Sequence, residues 1–212
     1  MGIVRAKICG ITRAEDARVA IENGAHALGF VFAASSPRAL SRDQAAVLVR
    51  SLPPFVSKVG LFVDASCEEV LDFVTRVGLD TVQLHGDETP EICAQVQQVV
   101  PVMKAFRVRG PETVVQMQAY RGCASAFLLD AYVPGRHGGT GARFDWGLAV
   151  EAKSVGVPII LAGGLDPTNV TEAISVVRPF AVDVSSGVES APGLKDPGKI
   201  RAFLGEVAAG RG

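Results

Sequence analysis

The chain has few cysteines, and they are not arranged as a framework. Cys9, Cys67, Cys93 and Cys123 form no C-x-x-C pair, and no histidine stands near them at zinc-ligand spacing. So much apolar sequence needs no disulfide scaffold, and the reading is a reducing, cytoplasmic compartment. An excess of charge of one sign is also lacking. Lys and Arg number 21 against 22 Asp and Glu, a formal net charge of −1. No overall basic field draws in nucleic acid. No apolar run reaches the roughly 18 residues that a membrane-spanning helix needs. The opening MGIVRAKICG lacks the apolar core of a secretory signal. Absent too are a G-x-G-x-x-G dinucleotide turn and a G-x-x-x-x-G-K-[ST] phosphate loop.

What is there reads as a folded core. Apolar residues make up 48% of the 212 and charged residues 20%, which excludes a disordered chain and suits one domain over residues 1–212. β-rich runs lie at Val4–Cys9, Ala27–Phe32, Val56–Val63, Thr81–Leu84, Val102–Arg107, Ala126–Asp130, Pro158–Ala162 and Ala181–Val184. They are near-continuous apolar stretches rather than clean alternations, as expected of strands covered on both faces. Segments with helical spacing lie between them. Ser66 reads as a helix N-cap. Thr89-Pro90 reads as a cap followed by proline in the first turn, and Asp166-Pro167 and Asp196-Pro197 repeat that signal. Alternating strands and helices imply parallel strands with right-handed crossovers. Eight such units in a chain of this length predict an α/β fold, a single-domain (β/α)8 TIM barrel.

In such a barrel, chemistry sits at the C-terminal ends of the strands and in the loops that follow. That filter selects Cys9, Phe32 to Arg38, Asp64, His85, Arg107, Asp130, Gly163-Gly164 and Ser185-Ser186-Gly187. The two last groups follow strands seven and eight, where barrels commonly bind phosphate. Glycines there let backbone N–H groups approach an anion closely. Cys9 and Asp130 can face each other across the mouth. A thiol becomes a base or nucleophile when its surroundings lower its pKa, and an aspartate shielded from water can give up a proton. Taken singly, Cys9 also suits a small buried hydrophobe and Asp130 a turn residue.

The Arg38 fork suits a carboxylate or a phosphate. His85 can donate, titrate or serve structurally. Lys7 shares a strand face with Cys9 and needs a partner inside the barrel. Asp183, on the strand that would neighbour it, is the geometric candidate for that pair and a second candidate for touching substrate. The glycine-rich run Gly138-Gly139-Thr140-Gly141 suggests a substrate-covering loop, with Gly141 a contact residue.

Several motifs in order give the chain a resemblance. They are Lys7-Ile8-Cys9-Gly10-Ile11-Thr12, Ser36-Pro37-Arg38, Val59-Gly60-Leu61-Phe62-Val63, Gln83-Leu84-His85-Gly86, Leu128-Leu129-Asp130 and Gly138-Gly139-Thr140-Gly141. Leu161-Ala162-Gly163-Gly164-Leu165, Asp183-Val184-Ser185-Ser186-Gly187-Val188-Glu189 and Pro192-Gly193-Leu194-Lys195-Asp196 complete the series. Over nearly its whole length the chain resembles the phosphoribosylanthranilate isomerase family of tryptophan biosynthesis. Ala39 stands where that family often has an aromatic residue.

The resemblance implies a (β/α)8 barrel that performs an Amadori rearrangement of a phosphosugar substrate, with no metal and no redox cofactor. It implies Asp130 as general acid and Cys9 as general base. Arg38 would meet the anthranilate carboxylate. Gly163, Gly164, Ser185, Ser186 and Gly187 would hold the phosphate. The implied partner is that small molecule, without nucleic acid or membrane, and the protein is expected as a monomer or homodimer. The competing readings are a histidine-pathway type isomerase, which typically uses two aspartates, and a catalytically silent phosphosugar-binding barrel.

Overall fold

The computed structural model describes residues 3–131 and 145–210. Strand and helix alternate as β1 (Arg5–Cys9), α1 (Ala14–Glu22), β2 (Ala27–Val31), α2 (Arg42–Arg50), β3 (Ser57–Phe62) and α3 (Cys67–Phe73). Next come β4 (Thr81–Leu84), α4 (Pro90–Gln97), β5 (Val102–Val108), α5 (Pro111–Met117), β6 (Ala126–Ala131) and α6 (Trp146–Ala152). The chain continues through β7 (Ile159–Leu161), α7 (Val170–Val177), β8 (Ala181–Val184), a hairpin of β9 (Glu189–Ala191) and β10 (Leu194–Lys195), and α8 (Pro197–Ala209). Each of the eight expected strands forms, within one residue of its expected bounds.

β1 to β8 pair in sequence order, all parallel, and β8 closes on β1. Closure leaves no barrel strand with an unpaired edge. Two apolar layers explain the unbroken hydrophobic runs. One face of each strand packs under the helices, with Ile8, Phe30, Phe62, Leu84, Phe127, Leu129 and Phe203 among the buried residues. The opposite face of the later strands fills the barrel with Val59, Met103, Ala105, Leu128, Ile160 and Ala181. The upper part of that inner face turns polar, and this positions the site.

The helix starts are mostly as the sequence implies. The Ser66 side chain accepts from the Glu69 N–H, and the Asp196 side chain accepts from the Lys199 N–H. Ser41 and Gln44 form a reciprocal capping box. Two expectations need correction. Thr89 occupies the N-cap position of α4 but makes no side-chain cap hydrogen bond. Asp166-Pro167 opens a turn and not a helix. The Asp166 carboxylate accepts from the Thr168 N–H and hydroxyl, and α7 begins at Val170. The β9–β10 hairpin was not foreseen. Its strands are too short for a periodic signal.

Candidate active site

Period-two alternation aims Lys7 and Cys9 of β1 into the barrel, along with Gln83 of β4, Asp130 of β6 and Asp183 of β8. A cavity of about 470 Å³ opens at the C-terminal mouth. Cys9, Arg38, His85, Asp130, Asp183, Gly163, Gly164, Ser185, Ser186 and Gly187 all line it. Thus every residue in the described range that was expected in a catalytic, substrate or phosphate role faces one space. Gly141 and the rest of the glycine-rich run lie outside the described residues. Phe32, Asp64 and Arg107 passed the strand-end filter but do not line the cavity. Phe32 stacks outward with Phe62 and Phe73. Asp64 accepts from the Asp87 N–H, and Arg107 donates to the His85 carbonyl.

One wall is apolar, formed by Val31, Leu61, Ala33 and Val63 around Cys9. Gly29 pairs in register with Cys9. A Cβ at that position would stand 2.8 Å from the Cys9 Sγ and 3.1 Å from the Lys7 Cε, so the missing side chain makes room for both groups. Beneath the thiol, Lys7 Nζ lies 2.8 Å from Asp183 Oδ1, the partnership anticipated from strand adjacency. Burial alone would pull the Lys7 ammonium down, but Asp183 and Cys9 outweigh it and hold the group at about 12. Burial pushes the Cys9 thiol up, while Lys7 and Lys195 oppose that rise.

Across the mouth, Asp130 Oδ1 accepts from the Ala131 N–H at 2.9 Å. Its Oδ2 lies 3.4 Å from His85 Nε2, a near approach without a hydrogen bond. His85 Nδ1 is 2.9 Å from the Gln83 amide nitrogen. Gln83 Oε1 and His85 Nε2 are both buried and unpartnered at the cavity wall. In an active site such atoms are the ones a polar ligand satisfies.

The remaining side of the cavity is formed by glycine-containing loops and a guanidinium. Gly163 and Gly164 both have positive φ, 79° and 66°, which turns the chain sharply at the end of β7. Ser186 and Gly187 open a single 3-10 turn, Ser186–Val188, whose first N–H groups have no partner within the turn. Arg38 reaches the same side on the loop after β2. Its Nε and Nη2 each donate to Glu189 at 2.7 Å, which leaves the Nη1 edge.

The geometry therefore joins a thiol, a carboxyl, a guanidinium and two glycine loops in one barrel mouth. The model of the N-(5'-phosphoribosyl)anthranilate isomerase family matches residues 6–206. The chain belongs to this family. A phosphoribosylanthranilate isomerase from Geobacter sp. (strain M21) is 57% identical over 209 residues, 97% of this chain and 98% of the relative. The crystal structure of the isomerase from Thermotoga maritima superposes with a TM-score of 0.92 at 43% identity, covering 97% of this chain and 99% of that one. A third relative is a phosphoribosylanthranilate isomerase crystallised with reduced 1-(o-carboxyphenylamino)-1-deoxyribulose 5-phosphate. It has a TM-score of 0.88 at 42% identity and covers 97% of this chain and 99% of that one.

As a phosphoribosylanthranilate isomerase family member the chain is an enzyme of tryptophan biosynthesis, an aldose–ketose isomerase. That sets aside the histidine-pathway and catalytically silent readings. Three residues near the isomerase site carried no role in the sequence reading. Gln83 was visible only as the period-two neighbour of His85. Glu189 and Lys195 stood inside quoted motifs, but nothing in their spacing showed that Arg38 would come between them and the cavity. Among the described residues no helix is long and apolar enough to cross a membrane.

Proposed function

We propose that the chain converts N-(5-phosphoribosyl)anthranilate to 1-(2-carboxyphenylamino)-1-deoxyribulose 5-phosphate, with Asp130 as general acid and Cys9 as general base. One observation carries this: Cys9 of β1 and Asp130 of β6, three strands apart around the barrel, reach the same cavity, beside an apolar wall and two glycine-containing loops. The proton of Asp130 goes to the sugar ring oxygen as the C1–O bond breaks. The anthranilate nitrogen lone pair then forms the C1=N bond of an iminium. That cation acidifies the C2 proton, which the Cys9 thiolate removes, giving an enolamine. The enolamine then tautomerises, C1 taking a proton as the C2 hydroxyl loses one, to give the ketone.

The electrostatics around Cys9 suit this order. Burial raises the Cys9 thiol, so its conjugate base, formed by loss of the proton to water, is a strong one. The Lys7 ammonium beside it and the iminium of the opened substrate both favour the thiolate. The apolar wall accepts the aryl ring, and the Nη1 edge of Arg38 meets its carboxylate. Gly163, Gly164, Ser185, Ser186 and Gly187 hold the phosphate through backbone N–H groups. His85 and Asp183 contact the sugar, and Gly141 is a further contact read from the sequence alone. The reading takes the chain as one domain over residues 1–212 in a cytoplasmic enzyme, monomer or homodimer.

The test is the loss of anthranilate fluorescence when purified protein meets the substrate. Cys9→Ala and Asp130→Asn should each lower kcat by at least the roughly 10²–10⁴-fold typical of general acid–base groups. Near-normal turnover in a folded Cys9→Ala protein would remove the base assignment.

A further inference from the structure

Arg38 is held from behind. Its Nε and Nη2 grip Glu189 in a bidentate pair, both bonds 2.7 Å. Neither Glu189 nor its second partner, Lys195, lines the cavity that Arg38 lines. Lys195 Nζ donates to Glu189 Oε1 at 2.9 Å and to the Ser185 carbonyl at 3.1 Å, and its side chain is fully buried. Ser185 opens the loop assigned above to the phosphate. Glu189 and Lys195 are paired residues of the β9–β10 hairpin. The hairpin is itself anchored. Lys199 Nζ donates to the Glu189 carbonyl, and the Lys195 N–H donates to Asp16.

We infer that Glu189 and Lys195 are positioning residues, and that they lock the Arg38 guanidinium and the Ser185 loop into one unit that receives both anionic ends of the substrate. The charge arithmetic favours it. Two cations and one carboxylate leave the cluster with the single positive charge of Arg38. Glu189 therefore orients the fork without cancelling its pull on a carboxylate. Burial alone would raise the Glu189 carboxyl, yet Arg38 and Lys195 hold it below its ordinary value, so it stays ionised. Two parallel bonds on one edge fix the guanidinium plane, which a single contact does not.

The inference rests on Arg38 binding the substrate carboxylate, and a double-mutant cycle separates the two claims. Arg38→Ala should raise KM more than it lowers kcat, because a remote anion contact is largely uniform binding. Glu189→Gln keeps the shape but removes the charge, and should raise KM about tenfold with a smaller change in kcat. In the Arg38→Ala background the same change should alter KM less than about twofold, because its effect passes through the arginine. Inorganic phosphate serves as a probe of the other end. Its inhibition constant should rise in Lys195→Met and stay near the parent value in Glu189→Gln.

An unchanged KM in Glu189→Gln, or an equal rise with and without Arg38, overturns the positioning role. A phosphate inhibition constant that does not move in folded Lys195→Met overturns the link to the Ser185 loop. Lys195→Arg, which keeps the charge, is the second variant should Lys195→Met not fold, and it should restore phosphate inhibition only partly. Full parent affinity in Lys195→Arg with its longer fork overturns the link as well. An Arg38→Ala protein with parent KM would instead remove the carboxylate assignment, and the inference with it.

Discussion

Lys7 and Asp183 meet inside the barrel, Nζ to Oδ1 at 2.8 Å, from paired positions on the strands that close it. Both side chains are at least nine-tenths buried, and Lys7, which does not line the cavity, has no water to replace its partner. Lys7→Met should therefore destabilise the protein by roughly 3–5 kcal/mol, the cost of a buried charge left alone. Combining Lys7→Met with Asp183→Leu should recover much of the loss. Denaturant unfolding of the three variants measures it. The pair's contribution should be intact below the ordinary lysine value of 10.5 and be lost as pH rises through about 12. A Lys7→Met protein as stable as the parent contradicts this account.

The thiol of Cys9 should be slow to react. Burial dominates its surroundings and raises its pKa, against the pull of Lys7. Alkylation by iodoacetamide near neutral pH should lag behind that of an exposed thiol, accelerate as pH rises beyond the usual thiol range, and be blocked by substrate. Lys7→Met removes a cation that favours the thiolate, so the alkylation profile should move further toward alkaline pH. A profile that moves the other way shows that Lys7 does not act on the sulfur.

Gln83 should decide which nitrogen of His85 carries the proton. With its amide donating to Nδ1 at 2.9 Å, the neutral ring keeps its hydrogen on Nε2, the nitrogen that faces Asp130. Nitrogen-15 spectra of the imidazole should show the Nε2–H form, assigned by its disappearance in His85→Asn. Gln83→Leu should give a mixture of tautomers and lower kcat more than it raises KM. A parent spectrum dominated by Nδ1–H would mean that the Gln83 carbonyl is the group facing the ring.

Gly164 should matter for both fold and ligand. Its φ of 66° is left-handed, so Gly164→Ala carries about 1–2 kcal/mol of backbone strain. The same change crowds the loop assigned to phosphate. The KM for substrate and the inhibition constant of inorganic phosphate should rise together, with kcat moving less. If only stability changes, the loop after β7 is a turn and not an anion site.

Much of this protein follows from local sequence. Continuous apolar runs such as Ala126–Leu129 and Val182–Val184 make strands covered on both faces, and caps such as Ser66 and Asp196 start helices, because both are decided within a few residues. Alternation of the two classes predicts the parallel barrel, and period two places Lys7, Cys9 and Asp183 inside it. Local signals also mislead. Thr89 stands at the N-cap of α4 without a side-chain cap bond. The Asp166 carboxylate folds back on Thr168 in a turn, and α7 begins only at Val170.

Tertiary structure decided the rest, because it depends on partners far apart in the chain. The sequence placed Arg38 near the site, but the groups behind it come from positions 189 and 195, more than 150 residues downstream. The Gln83–His85–Asp130 line needs the curvature that brings β4 and β6 to one cavity. The Cys9 environment depends on the absence of a side chain at Gly29 and on a lysine paired across the closing strands. Local propensity does not encode such contacts. They appear only once the barrel closes, when burial makes each charge find a partner or a ligand.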